Sequence, residues 1–283
     1  MMDASRCPLC ENEALDLVHL YEEAPEGEVT LPRLEGRDYR RELYRCRSCG
    51  HMISSHEMSM EALYEGDYVD ATYGAKGLRG TYDRINNLPE NRSDNVGRVN
   101  CLNEWMMQEN PEMMGRMSRT LLDVGAGLGV FPYRMKQAGW TCTALDPDPR
   151  AVRHARDVVG VAGLCGDFMR LEPESRYDLI SFNKVLEHVE LPVDMLNRSR
   201  QWLASGGYVY VELPDAGGAT QDGFHREEFF IEHHHIFSAA SLSLLAGKAG
   251  LEVRRLQCLR EPSSKYTLRA LLRSLDGAGD DVR

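Results

Sequence analysis

Cys7-Pro8-Leu9-Cys10 and Cys46-Arg47-Ser48-Cys49-Gly50 hold four of the eight cysteines as two C-x-x-C pairs. Each tight turn aims two thiolates at one point, and four thiolates make a closed tetrahedral zinc site. A closed site keeps no open position, so the expected zinc is structural. His51 and His56 lie near enough in sequence to replace a ligand, but beside four cysteines they are expected to be bystanders. A second group lies in Leu121-Leu122-Asp123-Val124-Gly125-Ala126-Gly127-Leu128-Gly129. The apolar run reads as a buried parallel strand, and the glycines as a turn that lets backbone approach a ligand. The spacing is G-x-G-x-G. The dinucleotide fingerprint needs G-x-G-x-x-G, whose third glycine would fall on Val130, so another nucleoside-like cofactor is expected.

The acids that follow fit such a cofactor. Asp146 comes about twenty residues after the loop, where a ribose acid belongs. Asp167 could accept from an adenine amino group, and Phe168 could flank the ring. Asn183 and His188 follow the next strand. Taken singly, Asp146 before a proline reads as a turn residue and Asp167 as a helix cap. Together they have the order and spacing of a nucleoside site. A third group is the tract from His225 through Glu232-His233-His234-His235. Histidine titrates near neutrality and can take a proton from a hydroxyl. His233 is the candidate base, with Glu232 and His225 beside it. The same tract permits a second metal ion or purely structural histidines.

These groups need elements to position them. From residue 119, strands are expected near 120–124, 140–145, 161–165, 177–182, 207–213, 251–258 and 264–270. Helices are expected near 129–138, 149–158, 193–204 and 239–249. Such alternation predicts a doubly wound α/β domain with a mostly parallel sheet over 119–275. The short Arg260-Glu261-Pro262-Ser263 connection predicts a closing hairpin, with one antiparallel strand at the sheet edge. Residues 1–60 read as a zinc-ribbon module, 61–118 as a helical connector or lid, and 276–283 as a frayed tail. In the connector Tyr64, Tyr68, Tyr73 and Tyr82 could roof a pocket or simply pack, and Arg92 and Arg98 could hold a carboxylate or phosphate.

Composition narrows the class. The chain has 283 residues and a net charge of −11, which argues against a nucleic-acid partner. Residues 1–60 carry seven arginines, no lysine and twelve acids, a net of −5, although five arginines cluster from Arg37 to Arg47. That cluster reads as a solvated strand face rather than an anion site. No apolar run is long enough to span a membrane, and Met1 to Arg6 show no signal-peptide pattern. A cytoplasmic protein is the expectation.

From Leu121 to Leu259 the sequence resembles the class I S-adenosylmethionine (SAM) methyltransferases. Asp123 to Gly129 matches their first motif, Asp146 the ribose acid, and Gly166-Asp167-Phe168 the adenine motif. Leu186-Glu187-His188-Val189 matches the segment after the fourth strand, and Ser205 to Glu212 the turn and fifth strand. The resemblance implies SAM as cofactor, a seven-stranded sheet, and contacts from Asp123, Gly125, Gly127, Gly129, Asp146, Asp167, Phe168, Asn183 and His188. The cysteine pairs and Glu232-His233-His234-His235-Ile236-Phe237-Ser238 are similar to the zinc-containing sugar methyltransferases. That implies a sugar, nucleotide-sugar or glycan acceptor, with a secondary metabolite next. Members that methylate carbon place a Tyr three residues before the matching His. Here that position is Phe230, which points to oxygen or nitrogen. An RNA methyltransferase using the ribbon as a clamp and a non-enzymatic SAM-binding protein are the rival readings. Acidity opposes the first, and the full set of cofactor-site residue types opposes the second.

Overall fold

The structure is a computed structural model that describes residues 5–28, 39–58 and 77–275. Tyr64, Tyr68, Tyr73, Arg37 and the tail from 276 lie outside the described residues. The N-terminal part is an antiparallel meander of β1 (Leu15–Tyr21), β2 (Arg41–Cys46) and β3 (Met52–Ser55). The larger sheet contains β4 (Thr120–Val124), β5 (Thr141–Asp146), β6 (Ala162–Cys165), β7 (Tyr177–Asn183) and β8 (Leu203–Pro214). After the two-residue β9 (His235–Ile236), it is completed by β10 (Leu251–Arg260) and β11 (Tyr266–Ser274). Its order is β10-β11-β8-β7-β4-β5-β6, with β4 to β8 parallel and β11 antiparallel to both neighbours.

This is the expected seven-stranded, mostly parallel sheet, with one correction. The antiparallel strand is not at the edge. β11 is inserted between β8 and β10, and residues 267–272 are all buried. Its one charged residue there, Arg269, is neutralised by Glu212 and Glu261, which lets the strand lie inside the sheet. β10 carries Arg254, Arg255 and Gln257 and takes the edge, where polar side chains keep water contact.

Helices α1 (Gly77–Asn86), α2 (Asp94–Glu109) and α3 (Pro111–Met114) precede the sheet. Helices α4 (Val130–Gln137), α5 (Pro149–His154), α6 (Pro192–Trp202), α7 (Ala216–Ala219) and α8 (Ala239–Lys248) follow strands. Their starts are written locally. Asp148 accepts from the Arg150 amide ahead of Pro149, and Ser238 forms a capping box with Ser241. The helix expected over 149–158 ends as α at His154 and closes in a wider turn to Val159, where Gly160 adopts a left-handed conformation. Apolar residues fill both faces of the sheet, around Leu122, Ile180 and Trp202 on one side and Leu121, Leu179 and Met135 on the other. Tyr82 packs edge-on against Tyr133 and His154. No described helix is long and apolar enough to cross a membrane.

The meander is tied to the larger domain by backbone pairing. β9 pairs with β3, Met52 against Ile236 and Ile53 against His235, and becomes the fourth strand of the N-terminal sheet. Arg41 corrects the reading of the arginine cluster as a solvated face. It is fully buried and ion-paired to Glu28 at 3.1 Å. It also lies over the Tyr21 ring and donates to the Phe229 carbonyl. Glu28 in turn accepts from the Ile231 amide at 2.7 Å.

Candidate functional site

The four thiols converge. The sulfurs of Cys7, Cys10, Cys46 and Cys49 all lie within 4.8 Å of one another, with Cys7–Cys49 at 3.6 Å and Cys10–Cys46 at 3.4 Å. Zinc–sulfur bonds of about 2.3 Å in a tetrahedron put sulfurs roughly 3.8 Å apart, so the residues fit the ion. The two turns share one device. Each C-x-x-C pair is followed by a residue at positive φ, Glu11 at 61° and Gly50 at 70°. In each, the amide of that residue returns to the carbonyl of the first cysteine. Among the described residues no histidine joins this cluster. His51 instead meets His235 at 3.0 Å, inside the seam between β3 and β9.

The glycine loop runs from the end of β4 into α4. Gly125, Gly127 and Gly129 all have positive φ, at 70°, 49° and 68°. A Cβ on Gly125 would stand 2.7 Å from Val185, and one on Gly129 would stand 2.8 Å from Val159. Glycine is therefore required at both for space as well as conformation. Asp146, at the end of β5, accepts from the Gly127 amide at 2.8 Å and from the Asp148 amide at 2.9 Å. These bonds aim its carboxylate at the loop and leave further lone pairs for a ligand. Burial raises its pKa. Asp123 is 2% exposed and accepts from Ser181 at 2.6 Å and from Asn183 at 3.0 Å. Burial pushes its carboxyl up to about 6. The Oδ1 of Asn183 is buried with no hydrogen-bond partner, an acceptor held beside the loop.

The adenine assignment divides. Asp167 is exposed and caps the Met169 amide at 2.9 Å. Phe168 turns inward, 3% exposed, against Phe182 and Trp202, so its ring is core and does not flank a ligand. The next apolar side chain, Met169, is the exposed one.

On the other side of the loop, the turn after β7 meets the histidine tract. His188 Nδ1 lies 2.9 Å from the Glu232 carbonyl, and His233 Nδ1 lies 2.9 Å from the Glu228 carbonyl. A carbonyl only accepts, so both Nδ1 atoms carry hydrogen and both Nε2 atoms carry the lone pair. The two rings are 4.8 Å apart. Burial lowers His188 to about 4 and His233 well below the usual histidine range, so both are neutral at pH 7. Glu232 has one buried, unpartnered oxygen, and burial raises it to about 7. His234 and His235 belong to the strand seam. The His234 amide donates to the Glu187 carbonyl, and β9 carries His235. His225 is exposed and lies outside this group.

Arg98 is also corrected. It grips Glu212 through two nitrogens and has no charge to spare for a ligand, and Arg92 is exposed. Burial works to raise Glu212, but Arg98 holds it down at about 2. Sequence reasoning missed Glu187, which is fully buried with neither carboxylate oxygen hydrogen-bonded. Its signal was an acid next to a histidine in an otherwise apolar turn.

Residues 86–256 match the family described as "Methyltransferase domain". Among curated proteins, the chain is 27% identical over 107 residues to a ubiquinone biosynthesis O-methyltransferase of Nitrosomonas europaea, covering 35% of this chain and 46% of that one. It is 26% identical over 130 residues to the Bordetella avium protein of the same name, covering 43% and 53%. The chain thus spans about half the length of the curated relatives it matches. Among solved structures, magnesium protoporphyrin IX methyltransferase from Synechocystis PCC 6803 superposes with a TM-score of 0.56 at 14% identity, over 76% of this chain and 100% of that one. The Burkholderia thailandensis 1,6-didemethyltoxoflavin-N1-methyltransferase gives 0.54 at 16%, over 83% and 96%. The sheet order, the glycine loop after β4 and the family match over more than half the sequence agree, and the chain belongs to the methyltransferase-domain family.

Proposed function

We propose that the chain transfers a methyl group from SAM to a hydroxyl or amine of a small molecule, with a sugar, nucleotide-sugar or glycan as the favoured acceptor. The observation that carries the cofactor reading is Asp146, pinned to the amide of Gly127 with lone pairs left over for two ribose hydroxyls. Asp123 and the unpartnered Asn183 oxygen form an acceptor pair suited to the cofactor's ammonium group. Asp167 is the acceptor for the adenine amine. When bound, SAM supplies a sulfonium-activated methyl group, and the protein's work is alignment and proton handling.

His233 handles the acceptor's proton through Nε2. Its Nδ1–H is held by the Glu228 carbonyl, which fixes the tautomer. Phe230 has no hydroxyl to assist at carbon, so the product carries a new O- or N-methyl group. The four-cysteine site holds a structural zinc. Reduced thiols of this kind suit a cytoplasmic setting. The sugar class rests on the resemblance of the cysteine pairs and the Glu232–His233 segment. A phenolic metabolite is the second reading, favoured by the curated relatives, which are named as O-methyltransferases of ubiquinone biosynthesis. The test is turnover of SAM with panels of sugar nucleotides, glycans and phenols, read by product mass and NMR. Absence of SAM binding by calorimetry overturns the reading, and a new C–CH3 bond overturns the O/N assignment alone.

A further inference from the structure

Glu187, His188 and His233 come together at the mouth of the glycine loop. One ring nitrogen of each histidine and one oxygen of Glu187 lie within 4.8 Å of one another. Glu187 and His188 stand in the turn whose Val185 touches Gly125. His233 is supplied from the loop ahead of β9. We propose that these three residues bind a divalent first-row cation, separate from the four-cysteine zinc.

Three observations carry it. First, Glu187 is fully buried and both carboxylate oxygens lack a hydrogen-bond partner. A buried carboxylate left without partners is costly, and a cation is the partner that resolves it. Lys184 does not fill that place. Its ammonium acts on Glu187 through space only: it donates to Thr267 at 3.1 Å and leaves both Glu187 oxygens without a hydrogen bond. Second, each histidine gives its Nδ1–H to a backbone carbonyl. This second hydrogen bond fixes the tautomer that presents Nε2, the arrangement that ligating histidines adopt. Third, the set is two imidazoles and one carboxylate from two chain segments. That donor set suits first-row cations and leaves coordination positions open. Bonds of about 2.1 Å place ligand atoms roughly 3–3.5 Å apart, so small side-chain rotations close the trio around an ion. The four thiolates are softer ligands and saturate with zinc, so the two sites differ in metal preference as well as place.

The consequence for chemistry rests on the methyl-transfer reading. With the cation bound, His233 Nε2 would be a ligand, so the part of His233 in removing the acceptor's proton would run through the cation, which would lower the pKa of a hydroxyl held at an open position and release its proton to solvent; loss of His233 lowers turnover on either account. Open positions suit an acceptor that offers two neighbouring oxygens.

The test is titration of the zinc-loaded full chain with Mn2+ alone, followed by loss of the free-ion EPR signal. Wild type is expected to bind one equivalent beyond its zinc. Glu187→Gln and His233→Asn should each weaken Mn2+ binding at least tenfold, while His225→Asn leaves it unchanged. Zinc content and the thermal transition are measured on every variant, and His233→Asn carries the test if Glu187→Gln does not fold. No saturable Mn2+ binding by wild type overturns the proposal, as does unchanged affinity in the folded variants. Calorimetry with the demethylated product of SAM on the same samples reports the cofactor reading separately, since that site shares none of the three residues except through His188.

Discussion

Replacing Arg41 tests how the cysteine module holds the histidine tract. Arg41 is fully buried, and its guanidinium meets Glu28, Tyr39, the Phe229 carbonyl and the Tyr21 ring. Arg41→Met keeps most of the aliphatic volume and removes the charge. Glu28 is then buried without its ion partner, and truncating one member of such a pair costs about 3–5 kcal/mol. Burial already raises the Glu28 pKa, so protonation relieves part of that loss, and about 3 kcal/mol is expected at pH 7. Glu28→Gln alone keeps an amide oxygen for the Ile231 amide and should cost about 1.5–3 kcal/mol, the range for a hydrogen bond to a charged group. The double variant has no stranded charge, so its loss should fall short of the sum by at least 1 kcal/mol, as in coupled pairs of roughly 0.5–3 kcal/mol. Urea unfolding of the zinc-loaded proteins reads the stability. Turnover should drop in Arg41→Met while affinity for demethylated SAM holds, because Arg41 and Glu28 hold the Phe229 carbonyl and the Ile231 amide in the segment that leads to His233, and not Asp146. Additive losses in the double variant would refute the ion-pair argument, and unchanged turnover in a folded Arg41→Met protein would refute the positioning role.

The other expectations can be checked separately. Elemental analysis should find one tightly held zinc per chain, and mutation of Cys7 or Cys46 to Ser should abolish it. Asp146→Ala should weaken both SAM and its demethylated product by roughly 1.5–3 kcal/mol in calorimetry. Unchanged affinity would cancel the ribose assignment. The folded pKa of Asp123 is raised to about 6, above its unfolded value, so its contribution to stability is full below about pH 4 and is lost as pH rises through 6. Asp123→Asn should therefore gain on wild type, in chemical unfolding, by roughly 2–3 kcal/mol between pH 4 and pH 7. An equal difference at both pH values would show that the carboxyl titrates normally. His233→Ala should lower kcat by about 10²–10⁴-fold with cofactor affinity near wild type, and a loss below about tenfold would return His233 to a structural role.

The cofactor side was legible in the sequence because its signals are local. Glycines that need positive φ, an apolar strand before them and an acid one strand later are fixed by backbone geometry, and the structure gives Gly125 and Gly127 positive φ and sets Asp146 against the Gly127 amide. Cys7 to Cys49 were legible for the same reason, since each turn builds half the site. Long-range packing was less visible. Phe168 has the sequence position of a ring-flanking residue, but Phe182 and Trp202 make a better apolar surface for it than a ligand face. Arg98 and Arg41 look like free cations until Glu212 and Glu28 arrive from distant segments. His225 and His233 are indistinguishable as letters, and only the fold sets one in water and the other beside His188. β11 and β10 differ by which one pairs with β8, a choice settled by Arg269 finding two buried acids.

The pairing of β3 with β9 also sets an order of events during synthesis. The cysteine turns are complete once residue 49 has left the ribosome, so zinc can close the knuckles early. The exposed edge of β3 must wait for His235 and Ile236, which at 5–20 residues per second arrive roughly 10–35 s later. In that interval a strand with buried-type residues Met52 and Ile53 presents unpaired backbone, the kind of edge that recruits other chains. Early metal binding at the cysteines would not protect that edge, and a chain stalled before residue 236 would be prone to aggregate whether or not the four thiols had closed on an ion. Expression of truncated versions should therefore give poorly soluble protein even where the four cysteines take up a metal ion, because the cysteine segment supplies three strands of a sheet whose fourth is β9.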